Sequence, residues 1–478
     1  MHDKIYTAVT IGPIGKTLDK AHKTKEIWLA SFIFSKLMED IIESLKNLNS
    51  EVEFEFVLPN IKNKRPNIDK ALSPGIFPDR LIICSDNGMM SQMRVGISFA
   101  IKQLAKDMAV ATSKSLDVIE GFLDNYLSIH MVEGMVPAAE HPIFYIYNVL
   151  ANQELRTPYI PMGEDLIQRY LENSSKSKYL QEYGSKIKSI EEIAGVGSED
   201  TRSSQYIAII QADGDNIGKL IGGIKDVKSL QNFSLCLSSF SCKAVEKIVE
   251  SGGFPIYAGG DDLLWFHPIK SNGQSVYQLI DKIDQIFKEE ILDNASLADL
   301  LEKENKPSMS YGLSISYYKH PMHEALSHAS ELLFTKAKKT TSKNSIAHRL
   351  MKNSGQTING ILSKDLLSIL NNYDKPAFNS VMYNMSSQKI QLGKLLEKMD
   401  DIRMHEFFAN NYNEPNHKEK KPFFESVTNA LMETYAKSTP SGVSESLKSE
   451  YADLAIDTVV DMLYIEKFLN QSKHDGNE

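Results

Sequence analysis

Cysteine is scarce in this chain: three residues in 478, namely Cys84, Cys236 and Cys242. Three scattered thiols cannot build a four-cysteine zinc site. They read as buried or half-buried thiols of a reducing cytoplasm. No apolar run is long enough to span a membrane, and no signal-peptide pattern is present. Excess positive charge is also missing, because the formal net charge is −9. That balance excludes a bulk nucleic-acid coat and confines any RNA contact to local patches. Two such patches stand out, Lys336–Lys352 and His417–Lys421. The first carries six Lys or Arg and no acid. The length predicts roughly two to four domains with ample core.

The most informative segment reads YAGGDDLLWF, Tyr257 to Phe266. Strand-like runs, Pro255–Ala258 and Leu263–Phe266, flank two glycines and two aspartates. Gly259 and Gly260 are expected to supply the backbone angles of a tight hairpin turn. Asp261 and Asp262 are thereby held at its tip. Adjacent carboxylates repel, so the pattern asks for a cation, and carboxylate oxygens suit Mg²⁺ shared with substrate phosphates.

A second acidic position lies 48 residues upstream. The buried-strand pattern Tyr206–Ala212 runs into Asp213-Gly214-Asp215-Asn216-Ile217-Gly218. A carboxylate at a strand end, followed by glycines that open a helix, suits a phosphate or a metal. One amphipathic helix separates the two motifs, with Leu230, Phe233, Leu237, Phe240, Ala244 and Ile248 at three- and four-residue steps. The order strand–helix–hairpin can set Asp213 beside Asp261 and Asp262. Three carboxylates can then hold two metals about 3.5–4 Å apart, the clamp used in nucleotidyl transfer.

The elements that follow continue a nucleotidyl-transferase palm. Val276, Leu279, Ile280, Ile283, Ile286 and Phe287 mark a second packed helix. Met309, Tyr311, Leu313, Ile315 and Tyr317 then alternate with Ser310, Gly312, Ser314 and Ser316. The bulky face goes to the core, and the small face leaves room for a nucleotide against the sheet. A third helix from about Pro321 ends in Lys336, Lys338, Lys339 and Lys343, a footprint for triphosphate or RNA backbone.

The N-terminal part repeats this order. A strand at Ile5–Ile11 precedes a long helix carrying Ile27, Trp28, Phe34, Met38, Ile41 and Leu45. Strand-like Phe54–Leu58 and Leu81–Ile83 follow, then a helix-rich stretch from about Gln92. The fold expected is α+β: two ferredoxin-like, nucleotidyl-cyclase palms plus helical domains. Residues 1–135 form a degenerate palm with no aspartate pair at a hairpin, and are expected to be catalytically silent. Residues 136–200 form a helical connection with a turn-prone end at Val196–Ser204. Residues 201–350 form the GGDD palm, and residues 351–478 a C-terminal helical domain.

On these residues the chain resembles a family. YTAVTIGPIGKTLDKAHKTKEIWLASFIFSKLM near the start, SPGIFPDR, QADGDNIGKL, FPIYAGGDDLLWF and SYGLSISYYKHPMHEAL with Ala337-Lys338-Lys339 are similar to the large subunit of type III-B CRISPR effector complexes (the Cmr module, the "Cas ten" palm family). The resemblance covers about residues 1–350. Diguanylate cyclases share the palm but carry Glu-Phe where Asp262-Leu263 stands here.

The resemblance implies a subunit that works with other Cmr-type subunits, crRNA and target RNA in the cytoplasm, with no membrane. Bound target RNA would switch on conversion of ATP to a nucleotide second messenger, usually a cyclic oligoadenylate. It implies Asp213, Asp261 and Asp262 as ligands of Mg²⁺ or Mn²⁺, with Asp215 a weaker candidate. Gly214, Asn216 and Gly218, with Ile217 between them, would shape a triphosphate loop, and Gly259 and Gly260 the hairpin. Lys338 would meet phosphate, while Ser310 and Gly312 would line the adenine side. The acceptor of the AMP stays open, and includes a small molecule such as S-adenosylmethionine. No His or Glu near these motifs demands the role of general base.

Many relatives carry an HD nuclease domain. The only His-Asp dipeptides here are His2-Asp3 and His474-Asp475, so no DNA nuclease activity is expected. The family's zinc-binding cysteines are absent. Two competing readings remain: a non-catalytic scaffold for the guide complex, and a stand-alone cyclase or polymerase. Clustered acids argue against the first, and the absence of clear fingers and thumb against the second.

Overall fold

The computed structural model describes residues 4–47, 53–60, 65–155, 164–196, 205–271, 274–301, 306–340, 343–364, 377–411, 421–440 and 442–470. The two His-Asp dipeptides, most of Val196–Ser204 and most of His417–Lys421 lie outside these residues. The chain divides into two compact units. The first comprises Met1–Ile190, Asn216–Trp265 and Gln285–Pro307, and the second Glu191–Asp215, Phe266–Asp284 and Ser308–Glu478.

The first unit opens with β1 (Ile5–Gly12), α1 (Ile14–Leu18), α2 (Thr24–Lys46), β2 (Phe54–Leu58), β3 (Arg80–Ser85), α3 (Met90–Thr112), α4 (Leu116–Tyr126) and β4 (Ser128–Met135). Its four strands lie in the order β2-β3-β1-β4. Every pairing is antiparallel, with Ile5 opposite Ser85 on one side and Met135 on the other. This is the ferredoxin-like arrangement. β1 sits at the centre because Tyr6, Ala8, Val9 and Ile11 are all buried. The stripe expected on α2 is buried throughout, from Ile27 and Trp28 to Leu45. Trp28 stacks on Phe32 at 4.4 Å, and its indole N–H donates to the Ser73 carbonyl at 3.0 Å.

Helices α5 (Pro142–Glu154), α6 (Leu166–Glu172), α7 (Lys178–Tyr183) and α8 (Ile190–Ile193) follow. A buried carboxylate, Asp107 of α3, ties this stretch down. It accepts from Tyr170 Oη at 2.5 Å, Ser177 Oγ at 2.6 Å and the Lys178 N–H at 2.6 Å. The first unit also holds α9 (Ile217–Gly223), α10 (Val227–Glu250), β6 (Phe254–Gly259) and α12 (Ala298–Leu301). The six apolar residues expected on α10 are all buried, as are the thiols of Cys236 and Cys242.

The second unit is built on β5 (Tyr206–Asp215), β10 (Ser308–Tyr317), β11 (Ser345–Met351) and β12 (Thr357–Ser363), with α11 (Val276–Phe287) and α13 (Met322–Glu331). The ladder Lys270–Ser271 (β8) with Gln274–Ser275 (β9) precedes α11. Strand β7 (Asp262–Pro268) runs from the first unit into the second. The sheet continues β5-β10-β11-β12. Along the chain, β5, α10, β6, β7, α11 and β10 again read strand–helix–strand–strand–helix–strand. The architecture is mixed α/β with two palm-like domains and further helical regions.

Two features differ from the sequence expectation. The helical run after α13 ends at Lys339, short of Lys343, and residues 345–351, given no element in the sequence reading, form β11, parallel to β10 with Tyr311 opposite Ile346. The chain after Asn353 does not turn helical at once either, because β12 pairs antiparallel with β11, Ser345 opposite Ser363. The two strands cover what would otherwise be an open edge of β10. Helices α14 (Ala377–Ser387), α15 (Lys389–Glu397), α16 (Asp401–Asn411), α17 (Lys421–Ser438) and α18 (Glu445–Asn470) complete the unit. α18 is fastened by Phe468, edge-on to Tyr206 at 4.8 Å, and by Tyr464 beneath the Lys352 ammonium at 4.2 Å. No helix among the described residues is long and apolar enough to cross a membrane.

Candidate functional site

The end of β5 carries two aspartates with opposite environments. Residues alternate across a strand, so Asp213 and Asp215 share one face with Gly214 between them. The register sets Asp213 opposite Ser310 and Asp215 opposite Ser308 on β10. Asp215 is completely buried. Its Oδ2 accepts from Ser308 Oγ at 2.8 Å, Ser310 Oγ at 2.7 Å and the Asn344 N–H at 3.0 Å. That carboxylate clasps two strands and the turn before β11. Its Oδ1 has no hydrogen-bond partner among the described residues.

Asp213 remains accessible, its side chain 24 % exposed. It is paired with Lys338, whose ammonium also donates to the Gly214 carbonyl at 2.9 Å. Lys338 stands on the short turn that follows α13, where the helix passes through a π-helical stretch (Leu332–Lys336) into a 3₁₀ turn (Ala337–Lys339). Gly214 therefore belongs to the strand and holds Lys338 through its carbonyl. The turn begins only at Asn216, in the left-handed region at φ 61°. Ile217 is buried at the start of α9, and Gly218 faces open space.

The small face of β10 has a cause the sequence did not display. A Cβ on Gly312 would stand 2.0 Å from the Ala329 carbonyl and 2.6 Å from the Leu333 N–H. Helix α13 thus lies with its backbone against the strand. Ser310, Ser314 and Ser316 on the same face are buried too. Small residues are needed here to admit a helix, which corrects the picture of an open face awaiting a nucleotide.

The hairpin in the first unit carries the other two aspartates. Gly260 and Asp261 form the turn, and Asp262 is the first residue of β7. Gly260 adopts φ +70°, which favours glycine. Gly259 does not share this conformation, and its reason is steric: a Cβ there would stand 1.9 Å from the Tyr257 hydroxyl. The Tyr257 phenol is held well above its ordinary pKa, first by burial and then by the charges of Asp262, Asp79 and Asp261. Tyr147 is pushed up to about 12, mainly by burial, with Asp79 and Asp261 raising it and Arg80 opposing them. Asp79 comes from the SPGIFPDR motif, and that loop is joined to β6 by a bond from the Ala258 N–H to the Gly75 carbonyl at 2.8 Å. Sequence reasoning had given neither Asp79 nor Tyr147 a place beside the hairpin. The only signal was the motif itself.

The structure thus brings Asp213, Gly214, Asp215, Ser310 and Lys338 together in the second unit, and Gly259, Gly260, Asp261 and Asp262 in the first. No group of three or more His, Cys, Asp or Glu positioned to hold a metal occurs among the described residues. The basic run also has internal partners. Arg349 pairs with Glu331 at 3.2 Å, and Lys352 bonds the Tyr464 hydroxyl, so these cations are not simply displayed.

These features define a mixed α/β protein with two palm-like domains and further helical regions. Residues 206–347 match the model of the Cas10/Cmr2 second palm domain, and residues 6–189 that of the CRISPR-associated protein Cmr2 N-terminal region. The chain belongs to the Cas10/Cmr2 family. It is 29 % identical over 193 residues to the CRISPR system Cmr subunit Cmr2 of Pyrococcus furiosus. That stretch is 35 % of this chain and spans about a fifth, 21 %, of the relative. Two solved structures share the fold. A type III-B Cmr-beta structure in the apo state matches over 97 % of this chain and 82 % of its own, with TM-score 0.53 and 10 % identity. An apo Csm1–Csm4 cassette matches over 98 % of this chain and 70 % of its own, with TM-score 0.52 and 11 % identity.

Proposed function

We propose that this chain is the ATP-using subunit of a crRNA-guided type III CRISPR complex in the cytoplasm, and that its second palm makes a nucleotide second messenger when target RNA binds. The observation that carries this reading is the accessible Asp213 at the end of β5 with the Lys338 ammonium upon it. A carboxylate and a lysine side by side at a strand end suit a metal and a phosphate together. A scaffold has no use for the pair. Membership of a family whose other members synthesise cyclic oligoadenylate supports the same reading.

The donor set fits a hard divalent cation. Asp213, Asp261 and Asp262 offer carboxylate oxygens, the ligand type that Mg²⁺ and Mn²⁺ prefer. Held by these carboxylates, a divalent metal would supply a lowered pKa for an attacking hydroxyl and charge neutralisation for the leaving pyrophosphate. The protein's own share is positioning and charge. Lys338 exchanges Asp213 for triphosphate oxygens. Asp215 keeps β5 and β10 in register beneath the substrate. The bond formed joins the acceptor oxygen to the α-phosphorus, and the bond broken releases pyrophosphate. The acceptor is a second adenylate, giving a cyclic oligoadenylate, or another small molecule such as S-adenosylmethionine.

The test is mass spectrometry of products from the assembled guide complex with Mg²⁺ or Mn²⁺, ATP, a metabolite extract and matching target RNA. A new adenylate that requires the RNA and disappears in Asp261→Ala/Asp262→Ala establishes the enzyme, and its mass names the acceptor. A complex that assembles on RNA yet yields no product with either metal defeats this reading in favour of a scaffold.

A further inference from the structure

The second unit contains a cavity of about 540 Å³ whose lining includes neither Asp213 nor Asp215. Its palm side is formed by the end of α13, β11 and β12, and its other side by α17 and α18. Lys336 and Lys339 line it, while Lys338 between them turns to Asp213. The helix irregularity at 332–339 produces this split, since one short segment sends cations in two directions.

The far side is acidic and rich in hydroxyls. Asp461 and Asp457 stand one turn apart on α18, and Asp457 is taken by Lys389 at 2.7 Å. Asp461 is pushed up to about 6 by burial first and by Asp457 second, with Lys389 opposing. Thr434 is nine-tenths buried on the cavity wall, and its Oγ1 has no hydrogen-bond partner among the described residues. A buried hydroxyl left without a partner costs stability unless something supplies one. Leu332, Ile361 and Leu454 add apolar surface.

We propose that this cavity is a second nucleotide site, taking a phosphorylated purine nucleotide with its phosphate on Lys336 and Lys339, its sugar on the Thr434 side and its amino-bearing base toward Asp461. The volume lies within the usual range for small-ligand pockets, roughly 300–1,000 Å³. On the palm side Glu331 is paired with Arg349, which leaves Lys336 and Lys339 as the excess charge, while Asp457 and Asp461 line the other side. This difference orients a ligand whose anionic phosphate and hydrogen-bond-donating amine lie far apart. Because Lys336 and Lys339 flank Lys338, an occupant here acts on the segment that holds Asp213.

The experiment is calorimetric titration of the full chain with AMP in EDTA, where metal-dependent binding in the palm is suppressed. Saturable binding is expected, weakened at least tenfold in Lys336→Ala/Lys339→Ala and several-fold in Thr434→Val. It is expected to be unchanged in Asp261→Ala/Asp262→Ala. Inorganic phosphate and adenosine serve as separate probes, each expected to bind more weakly than AMP. The proposal is overturned if the folded wild-type chain binds no AMP. It is equally overturned if the lysine pair has no effect, or if phosphate alone binds as tightly as AMP. The readout needs no turnover, so a catalytically silent chain would leave this test intact.

Discussion

At Gly312 a single methyl group decides whether a helix fits. The Ala329 carbonyl is 2.0 Å from where that carbon would be, and backbone cannot step aside as a side chain does. Gly312→Ala is expected to destabilise the second unit by about 2–4 kcal/mol, read as a lower denaturant midpoint. The two aspartates of β5 should separate cleanly. Asp215→Ala strands three donors, the fully buried Ser310 hydroxyl and the partly buried Ser308 hydroxyl and Asn344 N–H, and is expected to cost about 2–4 kcal/mol. Asp213→Ala removes a partly exposed pair and is expected to change stability by less than about 1 kcal/mol while abolishing product. Equal destabilisation by both would refute the division between clasp and ligand. The aspartates were readable from sequence as chemistry. Their opposite roles were not, because burial depends on β10 and the turn at Asn344, well over 90 residues further along the chain.

Among the elements, the segment 332–339 connects most of the site. It leaves α13, passes beneath Gly312 and delivers Lys338 to Asp213. Lys338→Ala in the assembled complex is expected to lower the rate of product formation at least tenfold with the complex still formed. Measurement of kcat against KM for ATP checks it, since loss of a transition-state contact lowers kcat and loss of simple binding raises KM. The palms' element order was legible because strand–helix–strand–strand–helix–strand leaves distinct periodicities. β11 and β12 were not. Their seven-residue stretches contain His348, Arg349 and Asn359, and the neighbouring lysines resemble a helix end. Only pairing with β10 identifies them as strands.

For the molecule as a whole, pH should register one buried histidine. His348 is fully buried beside Tyr277, whose hydroxyl meets Nδ1 at 3.1 Å, and burial lowers its pKa to about 3. An unfolded histidine titrates near 6.5, so below that pH the unfolded chain binds the extra proton. Stability is thus expected to fall as pH drops from about 6.5 toward 3, by up to about 1.4 kcal/mol per pH unit from this group. Chemical denaturation of wild type and His348→Phe across that range checks it, and parallel curves would refute the assignment. Activity has its own whole-molecule expectation. The isolated chain should make product slowly, and a high rate without RNA would overturn coupling of the site to the complex.

Sequence alone determined the tandem palms, the GGDD hairpin, the helical tail and the family. Each is written in local patterns: alternation along strands, three- and four-residue steps along helices, glycine where a turn needs positive φ. Tertiary structure decided which β5 carboxylate is buried, why Gly259 and Gly312 have no side chain, where Lys338 rests and that a cavity opens between palm and tail. All four depend on residues distant in sequence meeting at van der Waals range. Composition and periodicity carry no record of such meetings.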